Sequence, residues 1–99
     1  MIQLYAITAP NGLINIGSAY TASRALDTIQ NGSPERLELS AKMSAPSELK
    51  SALHAALALS HSHGEWFRPT ESVLRVVELM RMQDIGAMLA YLELLVDAP

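Results

Sequence analysis

The chain has 99 residues, which is enough for one small domain with a single hydrophobic core. Apolar residues make up 49% of it and charged residues 17%, a balance that excludes an intrinsically disordered or low-complexity chain. Cysteine is absent, so disulfide bonds, thiolate metal sites and cysteine nucleophiles are excluded as well.

The charges are unevenly distributed along the chain. All seven Lys and Arg residues lie within residues 1–81, where seven acidic residues match them, so the net charge of −3 comes from Asp84, Glu93 and Asp97. Proteins that bind nucleic acid through its phosphates cluster their basic residues, whereas here they are scattered. We therefore predict that direct binding of nucleic acid is weak or absent.

Neither end of the sequence carries a membrane signal. The N-terminal residues lack the basic flank, long apolar run and small-residue cleavage site of a secretory signal. The apolar run from Ile85 to Leu92 is far shorter than the roughly 20 residues of a membrane-spanning helix. We expect a cytoplasmic protein without a membrane partner.

The first half of the chain predicts a hairpin, a helix and a third strand. Residues 2–8 and 13–17 are apolar runs that flank an Asn-Gly turn, which is typical of a β-hairpin. Thr21 opens an amphipathic helix that ends near Pro34. Apolar and polar residues then alternate, which predicts a strand with one buried face. Its apolar positions are Leu37, Leu39, Ala41 and Met43.

The second half predicts helices. Pro46 opens a helix whose apolar stripe continues to Gly64, the predicted C-cap, and the following Trp66 and Phe67 are expected to pack over the sheet. A third helix follows Pro69-Thr70, and Gly86 marks where it bends or stops before a last helix.

The order of elements predicts an α+β fold in one domain over residues 1–99. A small three-stranded antiparallel sheet, formed by the N-terminal hairpin and one further strand, packs with helices. Residues 71–99 add a C-terminal helical pair.

A series of short motifs in residues 2–70 has a distinctive order and spacing. The motifs are Tyr5, Asn15-Ile16-Gly17, Gln30-Asn31-Gly32-Ser33-Pro34, Leu53-His54 and Gly64-Glu65-Trp66-Phe67. This arrangement resembles the GIY-YIG endonuclease superfamily, in particular its small branch found in phage and prophage open reading frames.

The resemblance implies hydrolysis of a DNA phosphodiester with one divalent metal ion such as Mg²⁺. It implies tyrosines near the nucleophilic water, an arginine on the first helix that stabilises phosphate charge, and a glutamate on the second helix that holds the metal. The family positions in this chain are Tyr5, Asn15, Arg24, Lys50 and His54.

Three of these positions depart from what the resemblance implies. Lys50 lies one helical turn before His54, where the metal-binding glutamate is expected, and its positive charge repels a cation. Asn15 replaces a lysine or tyrosine. Arg24 is one residue away from the arginine position, which Ala25 holds. We therefore assign no catalytic residue, no metal site and no cofactor.

Alternatives to this interpretation rest on a few polar residues. An active Mg²⁺-dependent endonuclease would need Glu48 or Glu65 to replace the lost metal ligand. A nucleic-acid-binding module without cleavage would use the weakly basic stripe of Lys50, His54 and His61. His61 and His63 with Glu65 are also candidate transition-metal ligands. The purely structural alternative has Tyr5 in the sheet, the stripe in solvent and the Gly64-Glu65-Trp66-Phe67 motif forming a turn.

The C-terminal segment is apolar on more than one side of its helix, so one packed face does not cover it. We expect it either to complete the core or to bind a partner, which is another protein or a second copy in a symmetric homodimer. The predicted partner-binding residues are Met88, Leu89, Leu92, Leu95 and Val96. The sequence thus predicts a non-catalytic binding module for a protein, for example a phage or prophage accessory protein that obstructs a host defence.

Overall fold

The computed structural model describes residues 1–97, and these form five β-strands and four α-helices. The strands are β1 (Ile2–Thr8), β2 (Ile14–Ala19), β3 (Glu38–Ala45), β4 (His61–His63) and β5 (Trp66–Phe67). The helices are α1 (Ala22–Asn31), α2 (Leu49–Ala56), α3 (Glu71–Arg81) and α4 (Ile85–Asp97), and a 3₁₀ turn covers Ala58–Ser60. The last two residues of the predicted C-terminal pair lie outside the described residues.

The predicted α+β class is confirmed, but the sheet is larger than the three strands expected. All neighbouring strands are antiparallel, in the order β3-β1-β2-β5-β4. The added strands β4 and β5 are only three and two residues long, which is too short for an alternation of apolar and polar residues to predict them. Trp66 and Phe67 consequently lie within the sheet, paired with β2, rather than over it.

A β-bulge at Ser40 divides the apolar residues of β3 between the two faces of the sheet. Ala6 faces Ala41 on the neighbouring strand, whereas Ile7 faces Leu39, so Ser40 is the extra residue. Leu39 therefore packs towards α1, while Ala41 packs on the opposite face. The prediction of one buried face was wrong, because the bulge reverses the alternation at its midpoint.

The core consists of one layer on each face of the sheet. Residues of α2, α3 and α4 pack on one face against Leu4, Ile16 and Phe67. Helix α1 packs on the other face against Tyr5 and Ile7. None of the helices in residues 1–97 is long and apolar enough to cross a membrane.

The side chain of Gln30 fixes the connection between α1 and β3. Its Nε2 donates to the carbonyl oxygen of Glu35 at 2.8 Å, and its Oε1 accepts from the backbone N–H of Leu37 at 2.7 Å. The Gln30-to-Pro34 motif therefore has a structural role, because this amide satisfies the backbone of the segment that leads into β3.

Two predicted helix ends lie at other residues. Helix α2 ends at Ala56, and Gly64 instead forms the β4–β5 turn with a φ of 54°. Helix α3 ends before Gln83, which has a φ of 59°, rather than at Gly86. The Gln83 N–H donates to Met80 O and the Asp84 N–H to Leu79 O, which is the hydrogen-bond pattern of a Schellman motif.

The chain around this helix end also covers the exposed edge of β3. The Nε2 of Gln83 donates to Lys42 O at 3.0 Å, and the Nε of Arg81 donates to Ser40 O at 3.3 Å. An edge strand with free carbonyl groups invites pairing with other chains. These two side chains occupy carbonyl groups that such pairing would use.

Candidate functional site

The motif residues lie close together beside β2. At Ile16, just beyond the pairing of β2 with β5, the backbone of β2 bonds to Glu65 and His54. The N–H of Ile16 donates to the carbonyl oxygen of Glu65 at 2.9 Å. The carbonyl oxygen of Ile16 lies 2.7 Å from Nε2 of His54 on α2. Both backbone groups of Ile16 are thus satisfied, and α2 is fixed against the sheet edge.

His54 has a structural role in this arrangement. Because a carbonyl oxygen only accepts hydrogen bonds, Nε2 must carry the proton that it donates to Ile16. The ring of His54 also makes an edge contact with Phe67, with centroids 4.9 Å apart and planes at 68°. This nitrogen is therefore not available as a general base.

Lys50 and Glu65 form an ion pair beside His54. The Nζ of Lys50 lies 3.0 Å from Oε2 of Glu65, and each side chain is about one third exposed. The sequence singled out both residues but did not predict their pairing. The only signal for it was the charge of a lysine at a position where the resemblance expects a carboxylate.

Tyr5 on β1 is paired with Gly17 on β2. Its side chain is buried in the layer that α1 covers. Burial raises the pKa of the Tyr5 phenol, and the negative charge of Glu65 raises it further. Tyr5 is therefore a neutral hydroxyl group near the Lys50–Glu65 ion pair.

Asn15 is the most buried polar side chain of this region, at 5% exposure. It lies between Ile7 and Trp66 in the sheet. Its Oδ1 has no hydrogen-bond partner among residues 1–97. A charged side chain buried at this position would likewise have no partner among the described residues.

Arg24 is not part of this group of residues. It is exposed on α1, whereas the neighbouring Ala25 packs against the layer that contains Tyr5. One helical residue corresponds to a rotation of about 100°, and the helix does not adjust to compensate for the displacement. At this point of α1 the residue that packs towards the sheet is therefore an alanine.

The two carboxylates that could replace the lost metal ligand are Glu65 and Glu48. Glu65 is paired with Lys50, and Glu48 lies elsewhere, beside a cavity lined by Leu49 and Leu89. Among the described residues no group of three His, Cys, Asp or Glu side chains is arranged to hold a metal. His61, the remaining member of the predicted basic stripe, donates to Gly64 O at 2.8 Å within its own hairpin.

The predicted partner-binding residues of α4 divide into two sets. Met88 and Leu92 are 0% and 6% exposed and belong to the core of the chain itself. Leu95 is partly buried against that core. Leu89 and Val96 are 48% and 69% exposed. Of the five predicted residues, only Leu89 and Val96 have large apolar side chains that are mostly or about half exposed to solvent.

The exposed pair borders a groove that the sequence analysis did not identify. Its other wall is formed by Ala52 and Ala55, on the exposed face of α2. The sequence signal for the groove was the small exposed residues Ala52 and Ala55 beside the leucine stripe of α2, but only the packing of α4 next to them creates the groove.

Comparison with known proteins adds no neighbour to this description. No family model, curated protein or solved structure matches the chain.

Proposed function

We propose that the chain is a non-catalytic binding module on a GIY-YIG-like scaffold, and that it acts by binding a protein rather than by cutting DNA. The observation that carries the proposal is the Lys50–Glu65 ion pair. It lies at the position where the resemblance expects a glutamate that holds a metal ion.

The ion pair opposes metal binding electrostatically. A divalent cation next to Glu65 would lie within a few ångströms of the Lys50 ammonium, well inside the roughly 8 Å over which physiological salt screens charge. The cation would have to displace Lys50 before it could bind the Glu65 carboxylate.

The remaining side chains do not supply the rest of phosphodiester chemistry either. Arg24 is exposed and is not among the residues packed around Tyr5, so it is not positioned there to stabilise phosphate charge. His54 donates its Nε2 proton to backbone. Tyr5 holds its proton more firmly than an ordinary tyrosine because its pKa is raised.

A protein is favoured over nucleic acid as the partner. The basic side chains are few and scattered, and Lys50 and Arg81 are already in ion pairs. The exposed apolar side chains of α4 are instead typical of a protein contact. The likeness to a phage and prophage branch makes an accessory protein that acts in the host cytoplasm on a defence machine the proposed biological setting.

A cleavage assay with a supercoiled plasmid tests the proposal. With Mg²⁺ or Mn²⁺ we expect no nicking by the wild type. Metal-dependent nicking that disappears in Glu65→Gln, but persists in Glu48→Gln, would overturn the proposal and establish an endonuclease that uses Glu65. Submicromolar DNA binding at physiological salt that is lost in Lys50→Ala would establish a nucleic-acid-binding module instead.

A further inference from the structure

Helices α2 and α4 enclose an apolar surface groove, here named the α2–α4 groove. It consists of two adjoining cavities of about 200 and about 410 Å³, which share Ala52 and Leu89 in their walls. The walls are formed by Leu49, Ala52 and Ala55 of α2 and by Ile85, Leu89 and Val96 of α4.

The charges at the groove are all of one sign. Glu48 borders one cavity and Glu93 borders the other, so an acidic residue lies towards each end. No Lys, Arg or His side chain of the described residues lines either cavity. Both carboxylates are exposed, so a basic side chain that lies above the groove could pair with either of them.

We propose that the α2–α4 groove binds a basic amphipathic helix of a partner protein. This inference rests on the proposed function, that the chain binds a protein, and it names the chemistry of the partner segment. The apolar stripe of such a helix would contact Leu89 and Val96, and its Lys or Arg residues would pair with Glu48 and Glu93.

The dimensions of the groove fit a helix. Along α4 the distance from Ile85 to Val96 is about 16 Å at 1.5 Å per residue, which matches roughly three turns of a partner helix. The Ala52 and Ala55 side chains are exposed and small, so the partner backbone can approach α2 closely. A third cavity, bordered by Tyr20 and Pro46, continues the groove beyond Glu48.

A second copy of this chain is a poorer occupant. A symmetric contact through the α2–α4 groove would bring the glutamates of both copies into one low-dielectric interface without a cation between them. The helices of the chain do not offer a basic partner surface either, because Arg75 and Arg81 on α3 are accompanied by Glu71 and Glu78. The charge pattern therefore favours a different protein over the homodimer expected from sequence.

A pair of synthetic peptides tests the inference. The first is a fluorescein-labelled amphipathic helix of about five turns with leucines on one face and lysines at its borders, and the second carries glutamate in place of each lysine. We expect the lysine peptide to bind the wild type at micromolar concentration, about tenfold more tightly than the glutamate peptide, and less tightly in high salt.

Matched variants locate the binding. Leu89→Asp is expected to weaken binding of the lysine peptide about tenfold, whereas Leu59→Asp, at a 94% exposed leucine in the 3₁₀ turn, leaves it unchanged. Glu93→Lys leaves one negative and one positive charge at the groove, so it is expected to abolish the preference between the two peptides without changing the apolar walls. This exposed substitution keeps the test valid even where Leu89→Asp perturbs the fold.

Three results would overturn the inference. They are equal binding of both peptides, unchanged affinity of Leu89→Asp, and a wild-type dimer in sedimentation that Leu89→Asp dissociates. The plasmid assay separates this failure from that of the proposed function. A protein that neither cuts DNA nor binds the lysine peptide remains a binding module with its contact elsewhere, whereas metal-dependent nicking removes the proposed function itself.

Discussion

The ring of Tyr5 on β1 lies directly over Gly17, its cross-strand partner on β2. A β-carbon placed on Gly17 would overlap the Tyr5 Oη, with Cζ 2.6 Å and Cε1 3.0 Å away. Glycine is therefore required at this position by the packing of a buried tyrosine. The relationship explains why a tyrosine on the first strand occurs together with an Ile-Gly pair on the second.

Gly17→Ala should destabilise the fold by about 1–3 kcal/mol, because the added methyl group overlaps the buried Tyr5 ring and forces it to shift. Urea unfolding monitored by circular dichroism measures the change. Gly86→Ala is the matched control: it lies in the first turn of α4 with its nearest neighbour, Asp84 Oδ1, at 3.6 Å, so we expect no loss. A smaller cost of Gly17→Ala in a Tyr5→Ala background supports the stated cause, and an equal cost contradicts it.

Lys50→Glu should create a weak Mg²⁺ site, since a second carboxylate would then face Glu65. We expect the melting temperature of Lys50→Glu to rise when Mg²⁺ is added, with no such rise for the wild type. Lys50→Met is the control for loss of the ion pair alone, and it should cost no more than about 1 kcal/mol because the pair is partly exposed. An Mg²⁺-dependent rise in the wild type would contradict the account of the site.

The raised pKa of Tyr5 makes stability depend on pH in the alkaline range. Below a pH of about 10 both the folded and the unfolded chain hold the proton, and the full stability is present. As the pH rises further the unfolded chain releases the proton first, so the free energy of unfolding falls.

Tyr5→Phe should therefore lose less stability than the wild type as the pH rises above about 10. Glu65→Gln should also lose less stability than the wild type in this range, because the negative charge that contributes to the raised pKa of Tyr5 is gone. Denaturant titrations at several pH values provide the measurement. If the free energy of unfolding falls equally with pH in the wild type and in Tyr5→Phe, Tyr5 is not the origin of the pH dependence.

Gln83 should tolerate glycine but not a β-branched residue. Its φ of 59° is strained for a side chain with a β-carbon, and Gly relieves about 1 kcal/mol of that strain. Gln83→Gly also loses the hydrogen bond to Lys42 O, so we expect a net change near zero. Gln83→Val loses this hydrogen bond and increases the backbone strain. Its melting temperature should therefore be well below that of Gln83→Gly. Equal stability of the two variants would contradict this explanation.

Leu92 and Leu89 should respond differently to truncation, although they lie one turn apart on α4. Leu92→Ala should cost about 2–4 kcal/mol because Leu92 is 6% exposed in the core. Leu89→Ala should cost about 1 kcal/mol or less, since its side chain is half in solvent. Urea unfolding of both variants gives the comparison, and a similar cost would show that Leu89 is also a core residue.

Local signals in the sequence were sufficient for much of the fold. The β1–β2 hairpin follows from an Asn-Gly turn between apolar runs, and α1 follows from helical spacing between Thr21 and Pro34. These elements are specified by residues close together in the chain. The Ser40 bulge and the short strands β4 and β5 have no such local signal, because each is defined by its pairing with a distant strand.

The sequence by itself determined that a lysine lies one helical turn before His54 and that the C-terminal helix is apolar on several sides. Only the tertiary structure decided that Lys50 pairs with Glu65, which is fifteen residues away, and that Leu92 is buried while Leu89 is exposed. The physical reason is the same in both cases. Charge and hydropathy are properties of single residues, whereas a partner or an exposed face depends on how α2, α4 and the sheet edge pack together.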